Sequence, residues 1–421
     1  MPIIYTISLI LISIYYIYIT IIKHADELYI ENAGLMSPTL QYVVVIPCFN
    51  EDKVIRATLS SLLDFSLPNL AIYVIDDDSS DDTIKIVNDF NDPRINLIEK
   101  HKPNAQKGKG HSLNTAYQRI LKDYSHADPE NVIITILDAD GFLCPNAFEI
   151  ADRIFSHPTI HGIQARVRII NNYKQGNILS LLQDIEFYEV IGAMQKFRMK
   201  TKTVGLGGNG QFTRLSSLKK LSETPWTDCL LEDYDLTIRL LLNKDRLVYS
   251  DQLVIYQQGL TSYRRYLKQR SRWIQGSLQC HSYIRKVITS TSLTGSGKLE
   301  MLFFLIQPYL NLLNSIIVII SIELLCRALL DGATLRSFFT ITIMFLITIY
   351  PGLSFTKRYI NATTKIDMID NSPKIRSYIG GMLMYIYIFL TIPSIVLAFT
   401  RQLLGKTSWF KTTREENVSI K

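Results

Sequence analysis

The chain of 421 residues has few cysteines, and none of them stands in a paired motif. Disulfide frameworks are dense in cysteine, and zinc motifs use closely spaced cysteine pairs. The sequence therefore indicates neither kind of site, and the scattered thiols fit a reduced, cytosolic environment. The five cysteines are Cys48, Cys144, Cys229, Cys280 and Cys326.

Charged residues are also scarce at the start of the chain and again over 301–401, whereas the stretch between has the mixed composition of a globular domain. Segment 3–22 is about long enough to cross the hydrocarbon core of a bilayer. It lacks the basic start and the small-residue cleavage site of a signal peptide. We therefore predict an N-terminal transmembrane anchor over 1–23 and about three further spans within 301–403. The downstream candidates are 301–326, 338–353 and 378–400.

Basic residues lie beside these segments, mainly over 263–272 and 357–376. Because Lys and Arg favour the cytosolic side of a membrane, we predict a multi-pass protein of the cell membrane with a cytosolic globular domain. Three downstream spans would put the basic tail, 404–421, outside, so a broken or interfacial segment is needed. The net charge of +7 suits an anionic bilayer surface and an acidic substrate, and we expect no nucleic-acid partner.

Apolar runs that alternate with helical patterns predict a doubly wound α/β domain over 40–260. Uninterrupted Val, Ile and Leu runs are typical of parallel strands that are buried on both faces. Helical segments between them imply parallel pairing with right-handed crossovers. The predicted strands are 41–47, which Pro47 ends, 70–75, 95–99 and 131–137, and the predicted helices are 53–63, 84–90 and 111–123.

Asp138 and Asp140 directly follow the last of these strands. In open α/β sheets, ligands bind at the carboxyl ends of the strands. Two carboxylates at this edge repel each other unless a cation lies between them, so the pair predicts a divalent-metal site. A solvated acidic turn is the alternative that this stretch leaves open.

Three further loops have compositions that suit a ligand. Five aspartates within 76–82 exceed what a helix cap needs, and they could accept hydrogen bonds from a base or a ribose. Lys107 and Lys109 alternate with glycine ahead of a helix, a setting that attracts phosphate, although a solvated loop is the alternative. The loop over 204–214 has four glycines in six residues, which permits a ligand to approach the backbone, or simply a hairpin.

Several short motifs, taken in order, resemble the family 2 glycosyltransferases. Each motif is common by chance, but the ordered set at strand ends and helix starts is specific. Gln269-x-x-Arg272-Trp273 resembles the motif of membrane-bound, chain-extending members such as the hyaluronan, cellulose, chitin and poly-N-acetylglucosamine synthases. The other motifs are Pro47-x-x-Asn50-Glu51, Asp76-Asp77-x-Ser79-x-Asp81, Gly108-Lys109, Asp138-x-Asp140 and Glu232-Asp233-x-Asp235.

The resemblance implies a nucleotide-sugar-binding, GT-A-like domain inserted between transmembrane helices and interfacial helices, the latter over 261–300. It implies Mg²⁺ or Mn²⁺ held through Asp140 with help from Asp138, and a catalytic base, Asp233, with Glu232 beside it. The implied donor-binding residues are Pro47, Asn50, Glu51, Asp76, Asp77, Lys109 and Asp138, and the implied acceptor and diphosphate contacts are Gly208, Asn209, Gln269, Arg272 and Trp273.

For two of these motifs the residues alone also permit a purely structural explanation. Acidic residues in the first turn of a helix ordinarily complement its dipole, which would account for Glu232 and Asp233. A tryptophan with basic neighbours, such as Trp273, is also typical of a membrane interface. The apolar spacing and basic end of 178–200 predict a companion interfacial helix.

The implied function is an inverting transfer from UDP-glucose or UDP-N-acetylglucosamine to a growing β-linked polysaccharide at the lipid bilayer, with export of the product and room for an accessory subunit. One alternative is the transfer of a single sugar to a lipid-linked acceptor. Another is an inactive membrane scaffold or a transporter with a binding domain. Two departures matter: Asp78 stands where the family usually has glycine, and the loop at Gly208 lacks the cysteine of hyaluronan and cellulose synthases, which leaves the acceptor open.

Overall fold

The computed structural model describes residues 17–18, 20–22, 40–170, 177–330, 352–361 and 374–406. Most of the predicted anchor, most of the predicted span 338–353 and the tail beyond 406 lie outside the described residues.

The described strands form one mixed sheet of eight strands. β1 continues to Cys48, so the prediction that Pro47 ends this strand is wrong by one residue; proline removes a donor but keeps its carbonyl acceptor. The strands are β1 Gln41–Cys48, β2 Leu70–Asp77, β3 Ile95–Lys100, β4 Val132–Ile136, β5 Phe142–Leu143, β6 Gly162–Ile169, β7 Gln211–Arg214 and β8 Leu247–Gln257.

The order of strands across the sheet is β3-β2-β1-β4-β7-β6-β8-β5. The pairs β3-β2, β2-β1 and β1-β4 are parallel, which confirms the predicted doubly wound half. Beyond β4 the sheet is mixed, because β7 pairs antiparallel with both β4 and β6, while β6 and β8 are parallel. This arrangement brings the carboxyl ends of β1, β2 and β4 to one edge.

Helices cover both faces of the sheet and continue beyond it. A π-helix, Glu186–Ile191, joins α5 to α6, so the predicted helix over 178–200 is present. The helices are α1 Ile55–Leu63, α2 Thr83–Asn88, α3 Lys109–Asp123, α4 Ala147–Phe155, α5 Ile178–Ile185, α6 Gly192–Thr201, α7 Leu215–Leu221, α8 Glu232–Leu242, α9 Tyr263–Gln279, α10 Ile284–Thr289, α11 Gly295–Leu330, α12 over 352–361, α13 Lys374–Leu390 and α14 Ile392–Leu403.

Alternate side chains of β1 enter two separate core layers, as the period of a strand requires. Val44 and Ile46 pack with α1 and α4 on one face, and Val43 and Val45 pack with α3 and α8 on the other. All four are at most 1% exposed. Full burial of each such side chain is worth about 1.5–3 kcal/mol. The core therefore holds the central strands rigidly beneath their polar ends.

The C-terminal helices differ from the predicted spans in one respect. Segment 378–400 forms two helices, α13 and α14, separated by a turn at Thr391. Pro393 lies in the first turn of α14, a place where its missing N–H costs nothing. Among the described residues, one helix is long and apolar enough to cross a membrane, within α11 at 295–317.

Candidate active site

The site is built on the carboxyl end of β4, where Asp138 and Asp140 leave the sheet. The backbone N–H of Asp138 donates to Oδ1 of Asn209 over 3.0 Å, which ties the loop at 207–210 to the strand end. Oδ2 of Asp140 accepts a hydrogen bond from the backbone N–H of Gln258, also at 3.0 Å, and the residue is 1% exposed. Asn209 is fixed in turn by Gln257, whose Oε1 accepts from Nδ2 of Asn209 at 2.7 Å. The predicted metal ligands therefore stand in a rigid, hydrogen-bonded setting.

Lys109 joins this strand end to the acidic pair of α8. Its Nζ donates to Oδ1 of Asp138 over 2.7 Å and to the carbonyl oxygen of Gly208 over 2.6 Å. Burial alone would lower the pKa of Lys109, but the neighbouring carboxylates of Asp138 and Glu232 together have the larger effect. The pKa is therefore raised above its usual value, and the ammonium form is favoured. A Cβ atom at Gly208 would lie 3.3 Å from this ammonium and 3.2 Å from Oδ2 of Asp233, so the position leaves little room for a side chain.

Glu232 and Asp233 begin α8 on the far side of Lys109. Burial, and secondarily the charge of Glu232, raise the pKa of Asp233 to about 7, against the lowering effects of Lys109 and Arg272. Oδ1 of Asp233 accepts a hydrogen bond from the backbone N–H of Tyr234 at 2.7 Å. A carboxylate with a pKa near neutrality is suited to take up and release a proton under cellular conditions.

The donor set at this centre fits a divalent cation. Lys109 lies beside Asp138, Glu232 and Asp233, and Arg272 lies near Asp233. Asp140 follows Asp138 at the same strand end. Four carboxylates against two cations leave an excess of negative charge when all four are ionised. Oxygen ligands of this kind are the ones that Mg²⁺ and Mn²⁺ prefer. Among the described residues, no third carboxylate, histidine or cysteine joins Asp138 and Asp140 in a close cluster, so the remaining ligands would be water and substrate oxygens.

The predicted donor loops form a second group along the same edge. The backbone N–H of Asn50 donates to Oγ of Ser79 over 2.8 Å, and Oδ1 of Asn50 accepts from the backbone N–H of Ser80 at 2.7 Å. The backbone N–H of Glu51 donates to Oγ1 of Thr83 at 2.8 Å, and Pro47, at the end of β1, is half-buried. These contacts bind the loop after β1 to the turn after β2.

Asp76 and Asp77 are placed differently from each other. Asp76 is fully buried, and its Oδ1 accepts a hydrogen bond from the backbone N–H of Ser79, so it shapes the turn. Asp77 accepts from Nζ of Lys100 at 2.6 Å. Asp78 has a φ of 71°, in the left-handed region, which explains why glycine is usual at this position and why aspartate, which tolerates that region, can replace it.

Helix α9 brings Arg272 to the acidic pair. Nη1 of Arg272 donates to the carbonyl oxygen of Leu230 at 3.1 Å, two residues before Glu232. Gly276, one turn further along, lets the helix approach closely, because a Cβ there would lie 2.5 Å from the backbone nitrogen of Leu231. Gln269 lies on α9 as well and is partly exposed.

Trp273 is held by a buried group that sequence reasoning missed. The guanidinium carbon of Arg270 lies 4.7 Å from the centre of the Trp273 ring, within the range of a cation–π contact. Arg270 forms a two-pronged ion pair with Glu186, both hydrogen bonds being 2.6 Å long, and donates to the hydroxyl of Tyr387 at 3.0 Å. Phe187 meets the Trp273 ring edge-on at 6.2 Å. We call Arg270, Glu186 and Tyr387, with the Trp273 ring, the arginine cage.

A small cavity of about 150 Å³ opens beside the acidic pair. It is lined by the loop from Gln106 to His111, the segment from Thr227 to Leu230, and Glu232. One wall carries Lys107 and Lys109, and the opposite wall carries Asp228 and Glu232. Three residues of the site were not predicted from the sequence. Arg270 stood inside a recognised motif, whereas Gln257 and Gln258, at the end of β8, had no signal of their own.

A GT-A-like sheet whose edge carries paired aspartates, a lysine and a second acidic pair defines a glycosyltransferase. The chain belongs to glycosyltransferase family 2, since the family model described as "Glycosyltransferase like family 2" matches residues 38–276. The predicted family and the prediction of an enzyme are thereby confirmed.

The proteins similar to the chain include two curated relatives and one solved structure. The poly-β-1,6-N-acetyl-D-glucosamine synthase of Staphylococcus epidermidis is 24% identical over 98% of this chain and 95% of the relative. The β-monoglucosyldiacylglycerol synthase of Synechocystis is 25% identical over 65% of this chain and 55% of the relative. The mannosyltransferase of Pyrobaculum calidifontis, solved with GDP-Man and Mn²⁺, has a TM-score of 0.61 at 17% identity, over 96% of this chain and 97% of that one. The last likeness bears out the predicted GT-A-like fold.

Proposed function

We propose that the protein is a membrane-bound, inverting synthase that adds sugar from UDP-N-acetylglucosamine to a growing β-linked polysaccharide. The observation that carries the proposal is the position of Lys109, which links Asp138 of the donor side with the loop at Gly208 beside Asp233. The similarity to a polysaccharide synthase along nearly the whole chain supports polymer formation and favours this donor over UDP-glucose.

The donor half uses the edge formed by β1, β2 and β4. In this proposal the loop from Pro47 to Glu51 and Asp77 hold the uridine, and Lys109 contacts the ribose or a phosphate oxygen. Asp140, with Asp138, holds Mg²⁺ or Mn²⁺, which when bound neutralises charge on the departing diphosphate. The backbone of Asp138 is held by Asn209, and the carboxylate of Asp140 is held by the backbone N–H of Gln258, so both residues are positioned before the donor arrives.

The acceptor half uses α8 and α9. Asp233 takes the proton from the attacking hydroxyl while the new bond forms on the face of the sugar opposite the diphosphate. One displacement of this kind converts an α-linked donor into a β-linked product. Arg272 lowers the pKa of Asp233 and contacts oxygens of the leaving diphosphate. The indole face of Trp273 stacks on the terminal sugar of the acceptor. Gln269 contributes a further hydrogen bond to that sugar.

Location at the membrane is supported by apolar side chains that face outward on three helices. α11 exposes Ile316 and Ile319, α13 exposes Met382 and Ile386, and α14 exposes Val396, each between 47% and 55%. Apolar faces of this kind are typical of contact with lipid or with another protein. In this proposal they lie in or on the bilayer, with the catalytic domain on the cytosolic side.

A second candidate function is the transfer of one sugar to a lipid acceptor. The similarity to a β-monoglucosyldiacylglycerol synthase favours it, although that match covers less of both chains. The two candidates share the donor chemistry and differ in what Trp273 contacts.

Purified membranes incubated with radiolabelled UDP-N-acetylglucosamine, and in parallel with UDP-glucose, test the proposal. We expect UDP release and a large glycan retained on size exclusion with the first donor, and neither when Asp140→Ala is used or chelator is in excess. A solvent-extractable glycolipid instead of polymer would establish the second candidate. UDP release with neither donor would refute both.

A further inference from the structure

Two cysteines and an aspartate meet behind the acidic pair of the active site. One ligand atom each of Cys229, Cys280 and Asp235 lies within 4.8 Å of the others. The two cysteines are 51 positions apart in the chain, which is why no paired motif revealed them. We propose that these residues form a second metal site, distinct from Asp138 and Asp140, that binds a thiophilic divalent ion such as Zn²⁺.

The spacing of the sulfur atoms fits tetrahedral coordination. Sγ of Cys229 and Sγ of Cys280 are 3.8 Å apart. Two sulfurs bound at about 2.3 Å to a tetrahedral zinc ion are separated by about 3.8 Å. The thiols therefore need little movement to bind the ion together, and a carboxylate oxygen of Asp235 supplies a third ligand. Water can occupy the fourth position.

The surroundings already orient these ligands. The backbone N–H of Leu231 donates to Sγ of Cys229 at 3.5 Å, a contact that stabilises a thiolate. Asp235 accepts a hydrogen bond from the hydroxyl of Tyr283 at 2.9 Å and another from Nε of Arg239 at 2.9 Å. Such outer contacts fix the orientation of ligands and are characteristic of metal sites.

The charges of the cluster balance when a divalent ion is added. On binding, each thiol gives up its proton to solvent and its sulfur forms a bond to the metal, so two protons are released per ion. Two thiolates and the Asp235 carboxylate then carry three negative charges. The divalent ion and Arg239 supply three positive charges, and no net charge is left buried.

An ion also has a way in. Cys280 is 1% exposed, but Cys229 is partly exposed and lines the cavity beside Lys109 and Glu232. The site would link the segment just before α8 to the end of α9, which are the two elements that carry the proposed base and the acceptor-binding residues. A bound ion would thus fix the distance between the two helices.

The test uses the purified full-length protein in detergent, reduced with a phosphine and carrying Asp140→Ala to remove the oxygen-ligand site. Co²⁺ is added as a spectroscopic probe, followed by Zn²⁺ as competitor. We expect one equivalent of Co²⁺ to give a thiolate-to-metal absorption band that Zn²⁺ abolishes. Cys229→Ser and Cys280→Ser should each remove the band, and Asp235→Asn should weaken binding about tenfold or more.

Cys144→Ser and Cys326→Ser are the matched controls, because these thiols lie elsewhere in the fold, and both should keep the band. Should a serine variant fail to fold, alkylation of Cys229 in the unsubstituted protein is followed by mass spectrometry, and stoichiometric Zn²⁺ should protect it. No thiolate band at stoichiometric Co²⁺, a band that survives Cys229→Ser, or alkylation unaffected by Zn²⁺ would each overturn the proposal.

Discussion

Asp233 lies among opposing charges, and their balance decides at which pH it can accept a proton. Glu232 pushes its pKa upward, while Lys109 and Arg272 pull it down, and burial dominates the sum. The same carboxylate is within reach of Gly208, on the loop that Lys109 ties to the donor side. A pKa near neutrality is what the proposed role of Asp233 as general base requires.

Replacing Asp233 with Asn should remove the base while leaving donor binding intact, because the amide keeps the shape of the side chain. We expect the transfer rate to fall by about 10²–10⁴-fold. Asp64→Asn, at an exposed position directly after α1, is the control and should be nearly silent. Turnover and UDP affinity measured on the same preparations check this, and a near-normal rate in Asp233→Asn would disprove the assignment.

The pH profile should follow the same carboxylate. Since the base form is needed and its pKa is about 7, kcat/KM should rise with pH and level off above neutrality. Glu232→Gln removes a charge that raises this pKa, so the midpoint should move to lower pH. Arg272→Gln removes a charge that lowers it, so the midpoint should move to higher pH. Midpoints that stay fixed in both variants would mean that another group titrates.

At the scale of elements, α9 is fixed by close contact along one side. The backbone of Leu231 occupies the place that a side chain at position 276 would need. Gly276→Ala should therefore push α9 away from α8, and overpacking of this kind costs about 1–3 kcal/mol, more than the roughly 1 kcal/mol gained in helix propensity. We expect lower activity and a lower melting temperature.

Gly295→Ala is the matched control for this substitution. Position 295 begins α11, and an added Cβ there meets nothing within 4 Å. Its melting temperature and turnover should be unchanged. Equal effects of the two substitutions would show that the contact between α9 and Leu231 has no special role.

The arginine cage on the other side of α9 should control the acceptor rather than the donor. Breaking a buried ion pair leaves an uncompensated charge and costs about 3–5 kcal/mol, so Glu186→Gln should loosen Arg270 and with it Trp273. Tyr387→Phe removes one hydrogen bond and should act in the same direction, more weakly. We expect shorter glycan chains with UDP affinity preserved.

Asp89→Asn provides a comparison for the cage variants, because it breaks an exposed pair with Arg56 that contributes little. Size distribution of the product and UDP binding are measured for all three. Normal chain lengths in Glu186→Gln, in protein that melts normally, would count against the cage as a positioning device.

The first four strands could be predicted from the sequence because β1, β2 and β4 are apolar runs with a polar end, and the shorter β3 follows the helix after β2. The mixed half of the sheet could not. β5 has two residues and β7 has four, which is too short for any pattern, and β7 follows a glycine-rich loop that also fits a hairpin. Its antiparallel pairing with β4 joins residues 75 to 81 positions apart in the chain, which no local signal reports.

The candidate site, like the sheet, has one part that could be predicted from the sequence and one part that could not. Asp138, Asp140, Lys109 and Asp233 follow strands or open helices, so their convergence was predictable from topology. The arginine cage was not, because Arg270 finds Glu186 and Tyr387 from 84 and 117 positions away. Buried partners at such separations can be recognised only once the packing is known.

At the scale of the whole molecule, α13 and α14 bring the described part of the chain back to the helices around the site. A glycine of α13, Gly380, lies against α5, and Nε of Arg401 in α14 donates to Oε1 of Gln275 in α9 at 2.9 Å. The carbonyl of Lys406 accepts from the same glutamine. Residue 406, where the described residues end, thus lies beside α9, and the proposed topology needs a broken segment to allow this.

A membrane-impermeant maleimide tests this arrangement in cells. Lys406→Cys, in a background with Cys326→Ser, should be labelled only after the membrane is opened, because the exposed side chain lies on the cytosolic side in this proposal. Asp128→Cys, at an exposed position of the catalytic domain, is the reference for the cytosolic side and should also be labelled only after the membrane is opened. Labelling of Lys406→Cys in intact cells, with Asp128→Cys protected, would contradict it.

The contacts of α13 and α14 also bear on how the enzyme can be handled. A shorter fragment that stops before Lys374 would keep every recognised motif, and it would be a natural choice for biochemistry. It would nevertheless lose the hydroxyl of Tyr387 and the guanidinium of Arg401, both of which brace α9. Such a fragment should still bind nucleotide, yet α9 would lack two of its contacts, so failure to extend a glycan in that preparation would say nothing about the intact protein.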